Sequence, residues 1–307
     1  MKHIPVLEKE AIELLNIKPD GTYLDLTLGR AGHSSSILKR LKNGRLIAFD
    51  LDESAIKESE SVLSKISKNY FLVHANFKYF DNTLKQLSIN KVDGILMDLG
   101  VSSPQFDDPR RGFSYNYDSL LDMRMDLNNK LTAKKVVNTY SLSELTRIFR
   151  EYGEEKDAYK IANNIIKARN KKEITTTFEL VDIIKKSKTF KELSKIGHPA
   201  KQVFQALRIE VNDELNSLKE TLSKSLGYLN KDGRLVVISF HSLEDRIVKQ
   251  EFNKVSKLVG DREDSNVIPI NKLEYQLVNK DIITPSSEEI IFNRRAKSAK
   301  LRAVRKL

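Results

Sequence analysis

The stretch Asp25-Leu26-Thr27-Leu28-Gly29-Arg30-Ala31-Gly32-His33 decides the fold. An apolar run rich in β-formers, Thr22 to Leu28, leads into a glycine turn, and helical spacing follows from Ser34 to Leu41. Such a strand, turn and helix bring backbone amides close to a ligand at a helix N-terminus. Further strand-like runs lie at Arg45 to Leu51, Tyr70 to Asn76 and Val92 to Leu99, with a helical segment at Glu53 to Ile66. Strands alternating with helices predict an α/β fold with a doubly wound parallel sheet. Gly233 and Arg234 introduce another buried run, Leu235 to Phe240. The run from Ala299 to Leu307 alternates apolar and basic residues, a pattern that suits a sheet edge.

The turn also narrows the ligand. A dinucleotide needs three glycines to cradle its pyrophosphate, and only Gly29 and Gly32 are present. Asp50 closes the second run eighteen residues after Gly32, near the position of an acid that holds ribose hydroxyls. A ribose without a pyrophosphate points to S-adenosylmethionine. The competing reading is a generic tight turn with Asp50 capping the next helix.

Between Leu99 and Leu235 helix signals dominate. Ser141 with Glu144, and Thr176 with Glu179, have capping-box spacing, and Ala158, Ile161, Ala162, Ile165 and Ile166 mark one helical face. The expected organisation is a sheet domain built from 1–106 and 205–307, with an inserted helical domain at 107–204. No internal repeat interrupts this pattern, and 266–275 reads as an irregular surface segment.

At 307 residues the chain can bury a sizeable core, and its formal charge of +11 favours an anionic partner. Cysteine is absent, which excludes disulfides, thiolate metal sites and thiol nucleophiles. Glu8, Glu10 and Glu13 interrupt the first fifteen residues, so no signal-peptide apolar region is expected, and no run approaches a membrane span. A cytoplasmic protein is the expectation.

Asp98 ends the fourth run and is followed by Ser102, Ser103, Pro104, Gln105 and Phe106, at the sheet end where open α/β folds place reactive groups. Amino-group methyltransferases commonly have an acid or amide, two prolines and an aromatic here, so the local match is partial; an ordinary turn is the alternative. Two more clusters flank the core, His198 to Asn212 and Ser239 to Arg246. Ser242 and Asp245 have capping-box spacing, which sets His241 at a strand-to-helix junction. A metal held by His241 and Glu244 has no second His or Cys cluster to support it, and none is expected. His3 and His74 are assigned to structure.

Together, Asp25 to Ser34, Asp98 to Gln105, Arg111-Gly-Phe-Ser, Leu121-Asp-Met-Arg-Met-Asp126, His198 to Asn212 and Ile238 to Lys249 resemble the bacterial small-subunit ribosomal RNA cytosine-N4 methyltransferase family, in the family's order and over nearly the whole chain. The resemblance implies a class I, Rossmann-like methyltransferase with an inserted helical domain. It implies methyl transfer from S-adenosylmethionine to the exocyclic N4 of a cytidine in the decoding region, as naked RNA or within an assembled subunit. Cofactor contacts carried over are Ala31, Gly32, His33, Asp50, Phe77, Asp98 and Gln105. Asp98, Ser102 and Ser103 are the catalytic candidates, and Arg124, His198, Arg208, Asn212, His241, Arg294 and Arg295 the substrate-binding ones. The chain departs from the family at Ala31, usually Gly, at Gln202, usually basic, and at Arg294, usually Pro. Ala31 fits only with a negative φ and its methyl turned from the cofactor.

The expected reaction is in-line attack of the cytosine amine on a sulfonium methyl, with acceptors from Asp98 to Pro104 orienting the amine. Methylation at carbon 5 normally uses a cysteine adduct, so the absent cysteine disfavours it. The target base must leave its stack, and Phe106, Phe113, Tyr115 and Tyr117 are candidate stacking partners or helical core. A non-catalytic RNA-binding protein and a small-molecule methyltransferase are the rivals. The charge is uneven: 1–106 carries +1, 107–204 carries +6, 205–293 carries −3, and Arg294 to Leu307 has seven basic and no acidic residues. That distribution favours an RNA-docking insert over a small-molecule enzyme.

Overall fold

The computed structural model describes residues 5–101, 103–256 and 273–307. His3 and Ser102 lie outside the described residues, as does most of the 266–275 segment. The described chain divides into two compact units, Met1–Gly100 with Leu215–Leu307, and Val101–Glu214.

In the first unit, seven strands among the described residues form one sheet: β1 (Thr22–Asp25), β2 (Arg45–Asp50), β3 (Tyr70–His74), β4 (Val92–Asp98), β5 (Leu229–Ser239), β6 (Tyr275–Leu277) and β7 (Lys300–Lys306). Their order is β3-β2-β1-β4-β5-β7-β6. The first five are parallel, whereas β7 runs antiparallel to both β5 and β6. Because side chains alternate along a strand, the sheet feeds two apolar layers. Tyr23, Leu46, Ala48, Leu96 and Ile238 face one layer, with Ile37 and Leu38 of the helix Gly32–Leu38. Leu24, Ile47, Phe49, Ile95 and Val237 face the other, against Leu218 and Leu222 of the helix Glu214–Tyr228 and Val248 and Phe252 of the helix Ser242–Ser256.

The final strand corrects the edge-strand expectation. β7 lies inside the sheet, and the three-residue β6 is its outer neighbour. Leu301 and Ala303 serve one apolar layer and Val304 the other. Its basic residues are used structurally: Lys300 and Arg302 pair with Asp245 of the adjacent helix at 3.2 and 2.8 Å. Positive charge on this strand therefore fastens a helix to the sheet.

The second unit has its own core, built from Val136 and Val137, Leu145, Ile148 and Phe149, Ile161 and Ile165, and Leu180 and Ile184. These side chains recur at helical spacing on the helices Ala133–Thr139, Leu142–Glu151, Ala158–Arg169 and Thr177–Ser187. Both expected capping boxes form, Ser141 with Glu144 and Thr176 with Glu179. The helix Lys201–Asn212 belongs to this unit, because Val203, Phe204, Ala206, Leu207 and Val211 pack into the same core. The second unit thus runs past the expected end at 204, and the return to the first unit comes after Glu214.

Candidate active site

Three acids end adjacent strands: Asp25 on β1, Asp50 on β2 and Asp98 on β4. Between β1 and β4 the sheet reverses its winding, and ligands of open α/β sheets bind at the strands' carboxyl ends there. Asp25 is buried and accepts hydrogen bonds from the Ser34 hydroxyl at 2.7 Å and the Thr27 amide at 3.1 Å. Burial pushes its carboxyl above the usual range. Thr27 links two of the acids, since its hydroxyl also accepts the Asp98 amide hydrogen at 2.6 Å.

Asp50 shapes the glycine turn. One carboxylate oxygen accepts the Gly29 amide hydrogen at 2.8 Å, and the other accepts that of Asp52, also at 2.8 Å. Burial raises its pKa to about 6. Gly29 takes a left-handed φ of 52°. Gly32 is needed for a different reason from the one its spacing suggests, because an added Cβ would lie 2.3 Å from Pro5 Cγ. Ala31 overturns the negative-φ expectation: it is fully buried with φ 60° and ψ 25°, immediately before the helix Gly32–Leu38. A glycine would take this left-handed position without strain, and here an alanine occupies it.

His33 is buried, and its Nε2–H donates to the Val6 carbonyl at 3.1 Å. That leaves Nδ1 facing Asp98 Oδ2 at 3.6 Å, within ion-pair range. Asp98 Oδ1 is buried and, among the described residues, meets no donor. Burial and the neighbouring Asp25 and Glu244 carboxylates hold the Asp98 carboxyl well above the usual range. A buried acid crowded by two others is relieved by a cation. The sulfonium and ammonium groups of S-adenosylmethionine have that charge, so the donor set fits the cofactor.

Glu244 corrects the expected Ser242–Asp245 box. Its Oε2 accepts the amide hydrogens of Phe240 at 2.8 Å and His241 at 3.2 Å, while its own amide points at His241 Nδ1 at 3.5 Å. The helix is therefore capped by the His241–Glu244 pair, and Asp245 is held by β7. His241 Nε2 lies 3.1 Å from Glu244 Oε1. Phe77 stands in the turn after β3 and packs on the sheet's apolar layer.

Other candidate residues lie in the second unit. Gln105 is buried in the short helix Ser103–Asp107. Arg124 is fully engaged: it forks onto Asp122 at 2.8 Å through two nitrogens and donates to the carbonyls of Leu127 and Asn129. Arg208 makes a similar fork to Glu214 at 2.8 Å. Asn212 accepts the Met125 amide hydrogen and donates to the Met123 and Arg208 carbonyls. These three side chains, expected to bind substrate, also knit the unit together. The Leu-Asp-Met-Arg-Met-Asp signature is thus a clamped loop, whose bend includes Met123 at φ 62°. Arg111 joins the clamp by donating to the Arg124 and Met125 carbonyls. Gly112 is forced by a φ of 69° and by the Leu120 carbonyl, 2.3 Å from an added Cβ. His198 stacks on Tyr115 at 4.2 Å and 4°, with Phe204 edge-on to the tyrosine. Phe113 is core, whereas Tyr117 is exposed. Arg294 and Arg295 are exposed in the 3-10 turn Arg294–Ser298 of the first unit.

The candidate residues drawn from the sequence left out Asp25, Thr27 and Ser34, and Glu244 was weighed only as a metal ligand. For Asp25 and Thr27 the usable signal was local: polar residues at the end of an otherwise apolar strand are expensive to bury unless they are hydrogen-bonded.

A parallel, doubly wound sheet with an antiparallel β7, and with acids ending β1, β2 and β4, is a Rossmann-like methyltransferase fold. The chain belongs to the MraW methylase family, whose sequence profile matches residues 1–307. It is 52% identical over 309 residues to ribosomal RNA small subunit methyltransferase H of Spiroplasma kunkelii, covering 100% of this chain and 99% of that one. The protein of the same name from Mycoplasmopsis agalactiae is 51% identical over 306 residues, with 100% and 99% covered. The solved structure of an rRNA methylase from Streptococcus thermophilus overlaps with a TM-score of 0.42 at 11% identity, covering 98% of this chain and 93% of that chain.

Proposed function

We propose that the chain transfers a methyl group from S-adenosylmethionine to the exocyclic N4 of a cytidine in the decoding region of small-subunit ribosomal RNA. The cofactor supplies an electrophilic methyl on a sulfonium sulfur. The observation that carries the assignment is the Asp25, Asp50 and Asp98 set with its unsatisfied Asp98 oxygen, in a chain half-identical to proteins named for small-subunit ribosomal RNA.

The residues divide the work. Asp50 fixes the Gly29 turn and offers its remaining lone pairs to ribose hydroxyls, while the Ala31 to His33 backbone and Phe77 form the rest of the cofactor bed. Asp98 offers Oδ1 to the cytosine amine, which holds the nitrogen for in-line attack. As the new carbon–nitrogen bond forms and the carbon–sulfur bond breaks, the amine loses a proton, for which Asp98, ionised once the cofactor's positive charge lies beside it, is the acceptor at hand. His33 keeps Asp98 oriented. Ser102 and Ser103, beside Asp98 in sequence, complete the proposed catalytic set, and Gln105 the cofactor set. The protein works in the cytoplasm, where the subunit is made; among the described residues no helix is long and apolar enough to cross a membrane.

Mass spectrometry of small-subunit RNA nucleosides from a deletion strain tests the assignment. N4-methylcytidine is expected to disappear and to return on complementation. Its persistence in the deletion strain overturns the proposal.

A further inference from the structure

The helix Thr177–Ser187 ends in Lys185 and Lys186, and the chain then passes through Lys191 and Lys195 to Lys201. All five lysines are exposed. Among them stand two bare apolar side chains: Phe190 is 87% exposed and Ile196 is fully exposed. Leaving a Phe and an Ile in water forfeits the free energy of their burial, so such residues rimmed by polar ones mark a contact surface.

The segment is built to hold this display. Lys188 turns inward, with its ammonium 2.7 Å from the buried Glu155 and 3.5 Å from Asp157. Ser187 accepts a hydrogen bond from Asn164 at 2.8 Å. Thr189 and Glu192 form a capping box around the helix Phe190–Leu193, which ties up the carboxylate between Lys191 and Lys195. The anchoring groups are spent within the fold, while the Phe190 ring and the Lys191 and Lys195 side chains stay exposed.

Resting on the methyltransferase reading above, we infer that this segment is a docking surface for an unpaired stretch of the ribosomal RNA substrate, with Phe190 stacking on a base and Lys191 and Lys195 meeting phosphates. A π-face among positive charges is the composition that binds single strands without regard to sequence. A protein partner would favour a contact centre depleted of lysine.

Fluorescence anisotropy of the full chain with a labelled single-stranded fragment of small-subunit rRNA, across a salt series, tests the inference. Phe190→Ala is expected to weaken binding about tenfold, and Phe190→Tyr to restore it. Lys191→Gln with Lys195→Gln should lower the slope of log affinity against log salt by about 0.7 for each phosphate that is no longer neutralised. Cofactor affinity, measured by calorimetry, should be unchanged in every variant. If the wild type binds RNA and methylates it while the variants bind equally well, the docking surface is overturned and the enzyme assignment stands. If the variants lose binding only to assembled subunits, the surface belongs to a ribosomal protein and the inference also falls. If the wild type neither binds nor methylates rRNA, both readings fall together.

Discussion

Ala31 has its methyl group fully buried at a left-handed φ of 60°. The left-handed backbone costs an alanine about 1–2 kcal/mol, close to what its buried methyl and its restriction of the unfolded chain return. Ala31→Gly should therefore leave stability within about 1 kcal/mol of wild type. Ala48→Gly, equally buried but inside β2, should lose about 1.5 kcal/mol. Thermal denaturation of the two variants checks this, and equal falls would show that position 31 is unstrained. A second residue-scale expectation concerns Asp50, with its pKa raised to about 6 by burial. Above that pH it is ionised and can accept from ribose hydroxyls; below it, one oxygen carries a proton. Cofactor affinity should fall about tenfold from pH 7 to pH 5, and Asp50→Asn should flatten that dependence in a calorimetric titration. Pattern and spacing located Asp50 and Asp98, because an acid ending a strand is a local feature. They were silent on the φ of Ala31, which is set by the packing of the turn, and on the engagement of Arg124 and Arg208, whose partners only the folded chain supplies.

The capping boxes show where local spacing suffices. Thr176 Oγ1 accepts the Glu179 amide hydrogen, and Glu179 Oε2 accepts those of Thr175 and Thr176. The Lys172 ammonium, followed by these backbone donors, lowers the Glu179 pKa to about 2, so the cap persists well into acid. Thr176→Ala should cost about 1 kcal/mol in urea denaturation, and Thr176→Ser should recover most of it. Ser242 and Asp245 had equally good spacing, yet Asp245 is claimed by Lys300 and Arg302, and Glu244 takes the cap instead. β6 offered no signal because three residues are too few for a period. β7 was recognised as a strand and misplaced as an edge, since its basic alternation resembles edge protection while its pairs lie on a helix distant in sequence.

Across the whole chain, the structure divides the basic excess into working and structural parts. Of the seven basic residues from Arg294 onward, Lys300 and Arg302 hold Asp245, and Arg305 reaches Asp232 at 3.5 Å and Gln276 at 2.9 Å. Arg294, Arg295 and Lys297 are exposed in the turn before β7. Replacing these three with glutamine should weaken RNA binding and lower its salt slope by about 2, with cofactor affinity unchanged; filter binding beside calorimetry checks it. Equal losses in both would mark them as structural. The position of β7 also has a consequence in time. β5 ends at Ser239 and its antiparallel partner begins at Lys300, so about sixty residues must be synthesised before that flank of β5 is paired. At roughly 5–20 residues per second, the nascent chain carries an open strand edge for about 3–12 seconds. During that interval the growing polypeptide should be at its most chaperone-dependent.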